Sequence, residues 1–266
     1  MKTIQFKKYN ATGNDFIIID NRKNIVFAED NALWESLCRL KTGIGADGVL
    51  LVENSDKADF KMRYINADGG EVSMCGNGAR AITAFVHTDL AFGLNLYRFE
   101  TKNSIYECSP DKAYGFSLKM TELYDVESIK VNDLLPALHS RYLNTGVPHA
   151  VFEVENVTDF DVYNNGKRIR YDQRFQNGSN ANFYQVLGPN KVKIRTYERG
   201  VENETLSCGT GAVATALTAA FYHSFKDEVL LETLGGTIAV KFSGDLKEIY
   251  LCGKVEKVFD GSFQIN

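Results

Sequence analysis

No apolar run in the chain's 266 residues approaches the roughly 20 needed to cross a bilayer, and the opening MKTIQFKKYN has no apolar signal-peptide core. A membrane span and an export signal are therefore not expected, and the expected compartment is the cytoplasm. Net charge is small too: 30 Lys and Arg stand against 34 Asp and Glu, a formal net charge of −4. With no basic excess, neither nucleic acid nor anionic lipid is expected as a partner. The five cysteines, at 38, 75, 108, 208 and 252, form an odd set without a Cys-x-x-Cys pair. That argues against a disulfide framework and against a structural zinc site, and reduced thiols agree with an intracellular compartment. The sequence has no low-complexity linker, and no phosphate loop with a neighbouring lysine that would ask for pyridoxal phosphate.

What the sequence does have is a repeat. Cys-Gly-polar-Gly-Ala occurs as MCGNGAR around Cys75 and as SCGTGAV around Cys208, each time heading an apolar, alanine-rich stretch. Thr12-Gly13 of NATGNDFIII recurs as Thr145-Gly146 of NTGVPHAVF, and GIGADGVLLV from Gly43 recurs as GSNANFYQVL from Gly178. The separations of these three pairs are 133 residues for the threonines, 135 for the glycines and 133 for the cysteines. A near-constant offset over three dissimilar motifs points to duplication and excludes a short-period solenoid. Two similar halves are expected, 1–122 carrying Cys75 and 123–255 carrying Cys208, with the boundary near Thr121 to Val126.

Within each half the pattern is mostly strand. Phe60, Met62 and Tyr64 alternate with Lys61 and Arg63, and Val192, Ile194 and Thr196 alternate with Lys193 and Arg195, so a half-buried strand precedes each cysteine loop. Further strands are expected at 4–9, 16–20, 96–101, 104–109, 116–120, 150–154, 229–232, 237–242 and 249–252, and an amphipathic helix at 31–40. The stretches ARAITAFVH and AVATALTAAFYHSF carry few charges, so both helices should be buried nearly all round, inside a curved sheet.

A thiol at a helix N-terminus gains help in ionising: free cysteine has a pKa of about 8.5, and the helix end favours the thiolate. The Gly-polar-Gly backbone after each sulfur can present unpaired N–H groups to an anion, so two such starts can clamp one carboxylate between two sulfurs and exchange a proton at the carbon between them. Each feature alone has a plainer reading. One Cys beside glycines is a small hydrophobe at a turn, His149 alone is equally a structural histidine, and Glu198 with Arg199 is equally a strand-end ion pair. Cys38, Cys108 and Cys252 read as core residues, Phe16 to Ile19 as core, and Asp15 and Asp47 as turn-shaping.

Taken together, GNDF (Gly13 to Phe16), NADGGEVSMCGNGAR (Asn66 to Arg80), Pro148-His149 and YERGVENETLSCGTGA (Tyr197 to Ala212) resemble the diaminopimelate epimerase family over almost the whole chain. Asn77 after the first Cys-Gly, where the related proline racemases carry His, and the Tyr-Glu-Arg-Gly before the second cysteine are the most discriminating parts. The resemblance implies an α+β fold of two pseudo-symmetric domains, each a barrel-like, mostly antiparallel sheet wrapped around a central helix, with the C-terminal strand (about 256–266) returning to the first. It also implies a cofactor-independent, homodimeric isomerase of lysine and peptidoglycan precursor synthesis that interconverts LL- and meso-diaminopimelate, with no metal. Cys75 and Cys208 match the two catalytic thiols, and Gly76, Asn77, Gly209 and Thr210 match the helix starts that hold the reacting carboxylate. Asn14, Asn66, Asn180 and Arg199 match residues recognising the substrate, chiefly its far end, while His149 and Glu198 match polar residues beside the reacting centre. Two positions depart from one common form of the pattern: Gly48 stands where Gln is frequent, and Val147 where Asn is frequent, each removing a polar contact. Other readings are a racemase of a different amino acid on the same fold and, from another class, a non-catalytic anion binder or redox sensor whose two cysteines close into a disulfide.

Overall fold

The ten residues KTIQFKKYNA form strand β1 (Lys2–Ala11), which turns back into β2 (Asn14–Asp20) through Thr12 and Gly13. Their φ angles of 53° and 91° are the left-handed pair that a two-residue hairpin needs. The computed structural model describes residues 1–120, 123 and 129–265. Continuing along the chain come α1 (Asn31–Cys38), β3 (Gly48–Glu53), β4 (Phe60–Asn66), β5 (Glu71–Val72), α2 (Gly76–Thr88), β6 (Tyr97–Glu100), β7 (Ile105–Asp111) and β8 (Gly115–Lys119). Strands β1 and β2 pair antiparallel, β2 and β3 parallel, β3 and β4 antiparallel, β4 with β5 antiparallel and with β6 parallel, then β6 with β7 and β7 with β8 antiparallel. Helix α2 packs against β1, β2, β3, β4 and β7. Every residue from Gly76 to Val86 is buried, so the sheet curls around the helix instead of offering it one face. A second core lies on the other side, where Trp34, Leu37 and Cys38 of α1 meet Ile4, Ile17, Ile19, Val49 and Leu51. Alternation along β2 and β3 thus serves two cores at once, which is why both read as unbroken apolar runs.

The same order of pairings follows a second time. Strands β9 (His139–Asn144) and β10 (Pro148–Glu153) pair antiparallel, and after α3 (Val162–Arg170), β11 (Asn180–Gly188) pairs parallel with β10. Next, β12 (Lys191–Glu198) pairs antiparallel with β11 and with β13 (Asn203–Thr205); after α4 (Gly209–His223), β14 (Glu228–Thr233) pairs parallel with β12 and antiparallel with β15 (Gly236–Phe242). Strand β16 (Ile249–Gly253) follows. Helix α4 packs against β9, β10, β11, β12, β14 and β15. Its first ten residues are buried except Thr210, while α3 covers the outside of β11 and β12. The last strand, β17 (Glu256–Ile265), pairs antiparallel with β1. The chain divides into two compact units, Met1–Leu118 with the segment from Gly253 onward, and Lys119–Cys252. Of the boundary expected at Thr121 to Val126, all but Leu123 lies outside the described residues.

The expected strands all form, and the helix expected at 31–40 ends at Cys38. Helix α3 goes beyond the sequence reading: VYNNGKRIR buries only Val162, Gly166 and Ile169, too thin an apolar stripe to show as a helical period. What starts it is Asp161, whose carboxylate caps the Asn164 N–H at 3.1 Å. Among the described residues no helix is long and apolar enough to cross a membrane.

Candidate active site

In each unit the cysteine of the repeated loop is the N-cap of the buried helix. Cys75 (φ −141°, ψ 120°) and Cys208 (φ −126°, ψ 114°) are both extended residues whose carbonyls accept the first helical bonds, from Ala79 N–H and Ala212 N–H, each at 2.8 Å. Both sulfurs therefore sit at the positive end of a helix macrodipole, beside first-turn N–H groups that the helix itself cannot satisfy. Cys38, Cys108 and Cys252 are buried in cores, and burial pushes the Cys38 thiol up to about 11. Burial away from any helix start makes those three poor nucleophiles or bases; Cys208 is buried as well, but it and Cys75 lie at helix starts.

In the first unit the helix start is tied down by a chain of side chains. Gly78 N–H donates to Cys75 Sγ at 3.4 Å. Asn77 Nδ2 donates to Asn14 Oδ1, Asn14 Nδ2 donates to Asp47 Oδ2 at 2.9 Å, and Arg80 Nη2 donates to Asn77 Oδ1 at 2.7 Å. Arg80 is fully buried and also donates to Thr12 Oγ1 at 3.3 Å and to the Gly76 carbonyl at 3.4 Å. A complete guanidinium charge is thus enclosed under the first turn, where it reinforces the helix end for anions. Asp15 and Asp47 exchange bonds, Asp47 N–H to Asp15 Oδ1 at 3.0 Å and Asp15 N–H to Asp47 Oδ2 at 3.1 Å, which fixes the loop carrying Asn14. Asn66 ends β4 opposite Gly48, and Tyr64 Oη donates to Asn66 Oδ1 at 3.0 Å. A Cβ on Gly48 would lie 2.5 Å from the Tyr64 ring, so the ring occupies the space of a larger residue at 48 and supplies a hydroxyl there.

In the second unit the arrangement differs. Cys208 has no capping N–H on its sulfur, which lies 3.5 Å from Thr210 Oγ1. That hydroxyl is 2.9 Å from His149 Nε2, and Asn182 Nδ2 is 3.0 Å from His149 Nδ1. Thr145 Oγ1 donates to the Thr210 carbonyl at 2.9 Å, so the repeated Thr-Gly turn braces the helix start. His149 is completely enclosed, and burial, with the charge of Arg199 adding to it, pushes its pKa down to about 3; the imidazole is neutral. Asn180 pairs with His149 across β10 and β11; its Nδ2 donates to the Pro148 carbonyl at 2.9 Å and its Oδ1 accepts from Arg199 N–H at 2.8 Å. Both ends of that buried amide are held by backbone, so Asn180 sets the position of Arg199. Arg199 Nη1 donates to the Asn177 carbonyl at 3.0 Å, and Glu198 Oε2 accepts from Thr205 Oγ1 at 2.9 Å.

Asn182, Thr196, Arg80 and Tyr64 were not singled out from the sequence. Asn182 and Arg80 announce themselves only as polar side chains at positions where the strand and helix patterns call for buried residues. A further cluster, His139, Glu153 and His223, gathers its ligand-type atoms within 4.8 Å at the far ends of β10 and α4. There Glu153 accepts from Tyr184 Oη at 3.0 Å and pairs with His223 Nε2 at 2.8 Å, while the His139 ring stacks on Tyr222.

Comparison with known proteins agrees with this layout. The family profile described as diaminopimelate epimerase matches residues 6–109 and 141–258. A diaminopimelate epimerase of Flavobacterium psychrophilum is 41% identical over 262 residues, 95% of this chain and 97% of that protein. One of Aquifex aeolicus is 36% identical over 275 residues, 97% of each. Among solved structures, a phenazine biosynthesis protein of the PhzF family from Bacillus anthracis superposes with a TM-score of 0.77 at 19% identity over the full length of both chains, a likeness of fold. Two units of the same fold, each with a cysteine capping its buried helix, together with this similarity along the chain, place it in the diaminopimelate epimerase family.

Proposed function

We propose that this chain is a cofactor-independent epimerase that interconverts LL- and meso-diaminopimelate by two-base chemistry, with Cys75 and Cys208 as the bases. The observation that carries the reading is the repeated N-cap position of the two thiols on equivalent buried helices. Inversion at a carbon needs a base on one face and an acid on the other, because a single base tends to return the proton to the side it left. One thiolate takes the α-proton as the opposite thiol delivers its own, and the roles exchange for the other stereoisomer. The α-proton of an amino acid is weakly acidic, so the charge that spreads onto the carboxylate has to be stabilised. N–H groups of Gly76 and Asn77, and of Gly209 and Thr210, are placed at the helix starts for that task, with about 3 kcal/mol from a well-aimed donor in a closed site. On this reading no pyridoxal phosphate and no metal take part.

Discrimination falls to Asn14, Asn66, Asn180, Glu198, Arg199 and the neutral His149. The Arg199 guanidinium is a natural fork for the distal carboxylate, and an amino acid lacking distal charge leaves such donors unpaired. A homodimer, a cytoplasmic location and a place in lysine synthesis come with the family resemblance; sedimentation tests the first. Turnover measured on LL-diaminopimelate beside proline, hydroxyproline and glutamate tests the substrate. Activity on the first alone is expected, and no turnover of it overturns the proposal.

A further inference from the structure

Helix α4 carries polar chemistry at both ends, and β10 runs beside it. His149 and Glu153 of β10 are four residues apart on one face of the strand, about 13 Å from each other. His149 meets the helix start at Thr210, while Glu153 meets His223 in the last turn. At 1.5 Å per residue, the 15 residues of α4 put this second group about 20 Å from Cys208. The first half shows a different way to hold an acid at this place. Asp20 of β2 stands opposite Val52 of β3 as Glu153 stands opposite Tyr184 of β11, at matching register. Arg22 grips Asp20 with two hydrogen bonds, Nε to Oδ1 at 2.8 Å and Nη2 to Oδ2 at 2.7 Å. Among the described residues the ionic partner of Glu153 is His223, and the Glu153 side chain is the more enclosed, 6% exposed against 37% for Asp20.

A carboxylate taken out of water needs a compensating positive charge, and an imidazole supplies it only when protonated. The surroundings of Glu153 fit a second source of charge. His139 lies directly across from it on β9 and His223 comes from the helix end, so two of the chain's four histidines converge on one acid, all within the second unit. The ligand-type atoms of the three residues all lie within 4.8 Å of one another. Tetrahedral zinc with bonds of about 2.0–2.2 Å holds its ligand atoms about 3.3–3.6 Å apart. Small side-chain rotations therefore close the set. His223 Nε2 and Glu153 Oε2, 2.8 Å apart, share a proton that a metal cation would displace. Tyr184 Oη donates to the same oxygen at 3.0 Å, the kind of hydrogen bond that orients a ligating carboxylate. Burial, with the negative charge of Glu153 adding to it, pushes the Tyr184 pKa up, so the phenol stays a donor. His139 is held by stacking on Tyr222, ring centroids 4.2 Å apart, and Tyr222 Oη donates to the Ser140 carbonyl at 3.0 Å. Both imidazoles are partly exposed, which gives an ion access, and the end of α4 adds the negative pole of its macrodipole.

We propose that His139, Glu153 and His223 form a site for a zinc-type divalent cation, a clamp that ties β9 and β10 to the end of α4 in the second unit. Two imidazoles and one carboxylate are a donor set of zinc and its neighbours in the first transition series, whereas magnesium and calcium ask for oxygen. Water completes the coordination. The clamp takes no part in the proton transfers assigned to Cys75 and Cys208, and it stands or falls separately from that reading.

The test is calorimetric titration of zinc sulfate into the reduced, chelator-stripped full chain, repeated on His139→Gln, His223→Gln and Tyr184→Phe. The parent is expected to bind one ion per chain at this site, with affinity lower by about 100-fold in either glutamine variant and about tenfold in Tyr184→Phe. Zinc is expected to raise the melting temperature of the parent and not that of the glutamine variants, while magnesium moves neither. Thiols take zinc as well, so cobalt(II) separates the two sites: visible d–d bands that persist after iodoacetamide has blocked the cysteines are expected. Absence of zinc uptake, affinity equal in the parent and both glutamine variants, or cobalt bands that vanish on alkylation overturns the site. Should a glutamine variant fail to fold, the cobalt bands of the alkylated parent still decide. Zinc binding as expected in a chain that does not turn over diaminopimelate would remove the proposed function and leave the metal site standing.

Discussion

Gly211 and Asn182 are locked together: the Asn182 amide oxygen stands 2.4 Å from where a Cβ on Gly211 would be, while Cys208 Sγ would be 3.3 Å from the same point. At the equivalent Gly78 the nearest atom is 3.4 Å away, ordinary contact. Gly211→Ala is therefore expected to push Asn182 off its partners, lowering stability by about 1–3 kcal/mol and activity by more than tenfold. Gly78→Ala is expected to cost less than about 1 kcal/mol. Thermal unfolding and steady-state rates on the two variants check this; equal damage at both positions contradicts it.

Asn180 and Arg199 separate structure from recognition. Asn180→Ala strips two backbone groups, the Pro148 carbonyl and the Arg199 N–H, of a buried partner, and is expected to cost about 1–3 kcal/mol of folding free energy along with activity. Arg199→Ala leaves stability close to that of the parent and acts through substrate, with a raised KM and a lower kcat/KM. Urea titration with kinetics distinguishes the two, and an unchanged kcat/KM in Arg199→Ala removes that residue from recognition.

The buried His149 makes stability depend on pH in a defined direction. In the unfolded chain its imidazole takes up a proton around 6.5, but in the fold not until about 3, so between those values the unfolded state binds the additional proton. The contribution is fully present above pH 6.5 and is lost as pH falls, by up to about 1.4 kcal/mol per unit for this one group. Urea unfolding at pH 7.5, 6.5 and 5.5 is expected to show this slope in the parent and a flatter one in His149→Gln. Identical slopes contradict a neutral, enclosed imidazole.

Gly48, where the family pattern frequently has Gln, lies against Tyr64. Because the Tyr64 ring fills the space beside Gly48 and its hydroxyl reaches Asn66, Tyr64→Phe is expected to raise KM for diaminopimelate several-fold with little change in melting temperature. An unaltered KM shows that Asn66 keeps its orientation unaided.

Much of this was legible in the chain because the signals are local. The constant offset of the Thr-Gly and Cys-Gly motifs revealed the repeat, and small residues after each cysteine marked helix starts, as Cys75 and Cys208 at the N-caps bear out. Alanine-rich, charge-poor stretches gave α2 and α4 their all-round burial. What escaped depends on contacts between segments distant in sequence. Helix α3 owes its position to an Asp161 cap and packing on β11 and β12, with almost no apolar period of its own. Asn182 looks like any polar strand residue until the fold sets His149 beside it, 33 positions away in sequence. Arg80 stands in a stretch that reads as buried, but its partners Asn77 and Thr12 emerge only in the fold.

Two-base chemistry is tested most directly by epimerisation and α-deuterium incorporation in D₂O, started from each stereoisomer of diaminopimelate, with Cys75→Ala and Cys208→Ala beside the parent. Both variants are expected to fold with near-parent melting temperatures and to lose epimerisation by at least about 10²–10⁴-fold. Substantial epimerisation surviving in either single variant would show that inversion does not need a thiol from each half.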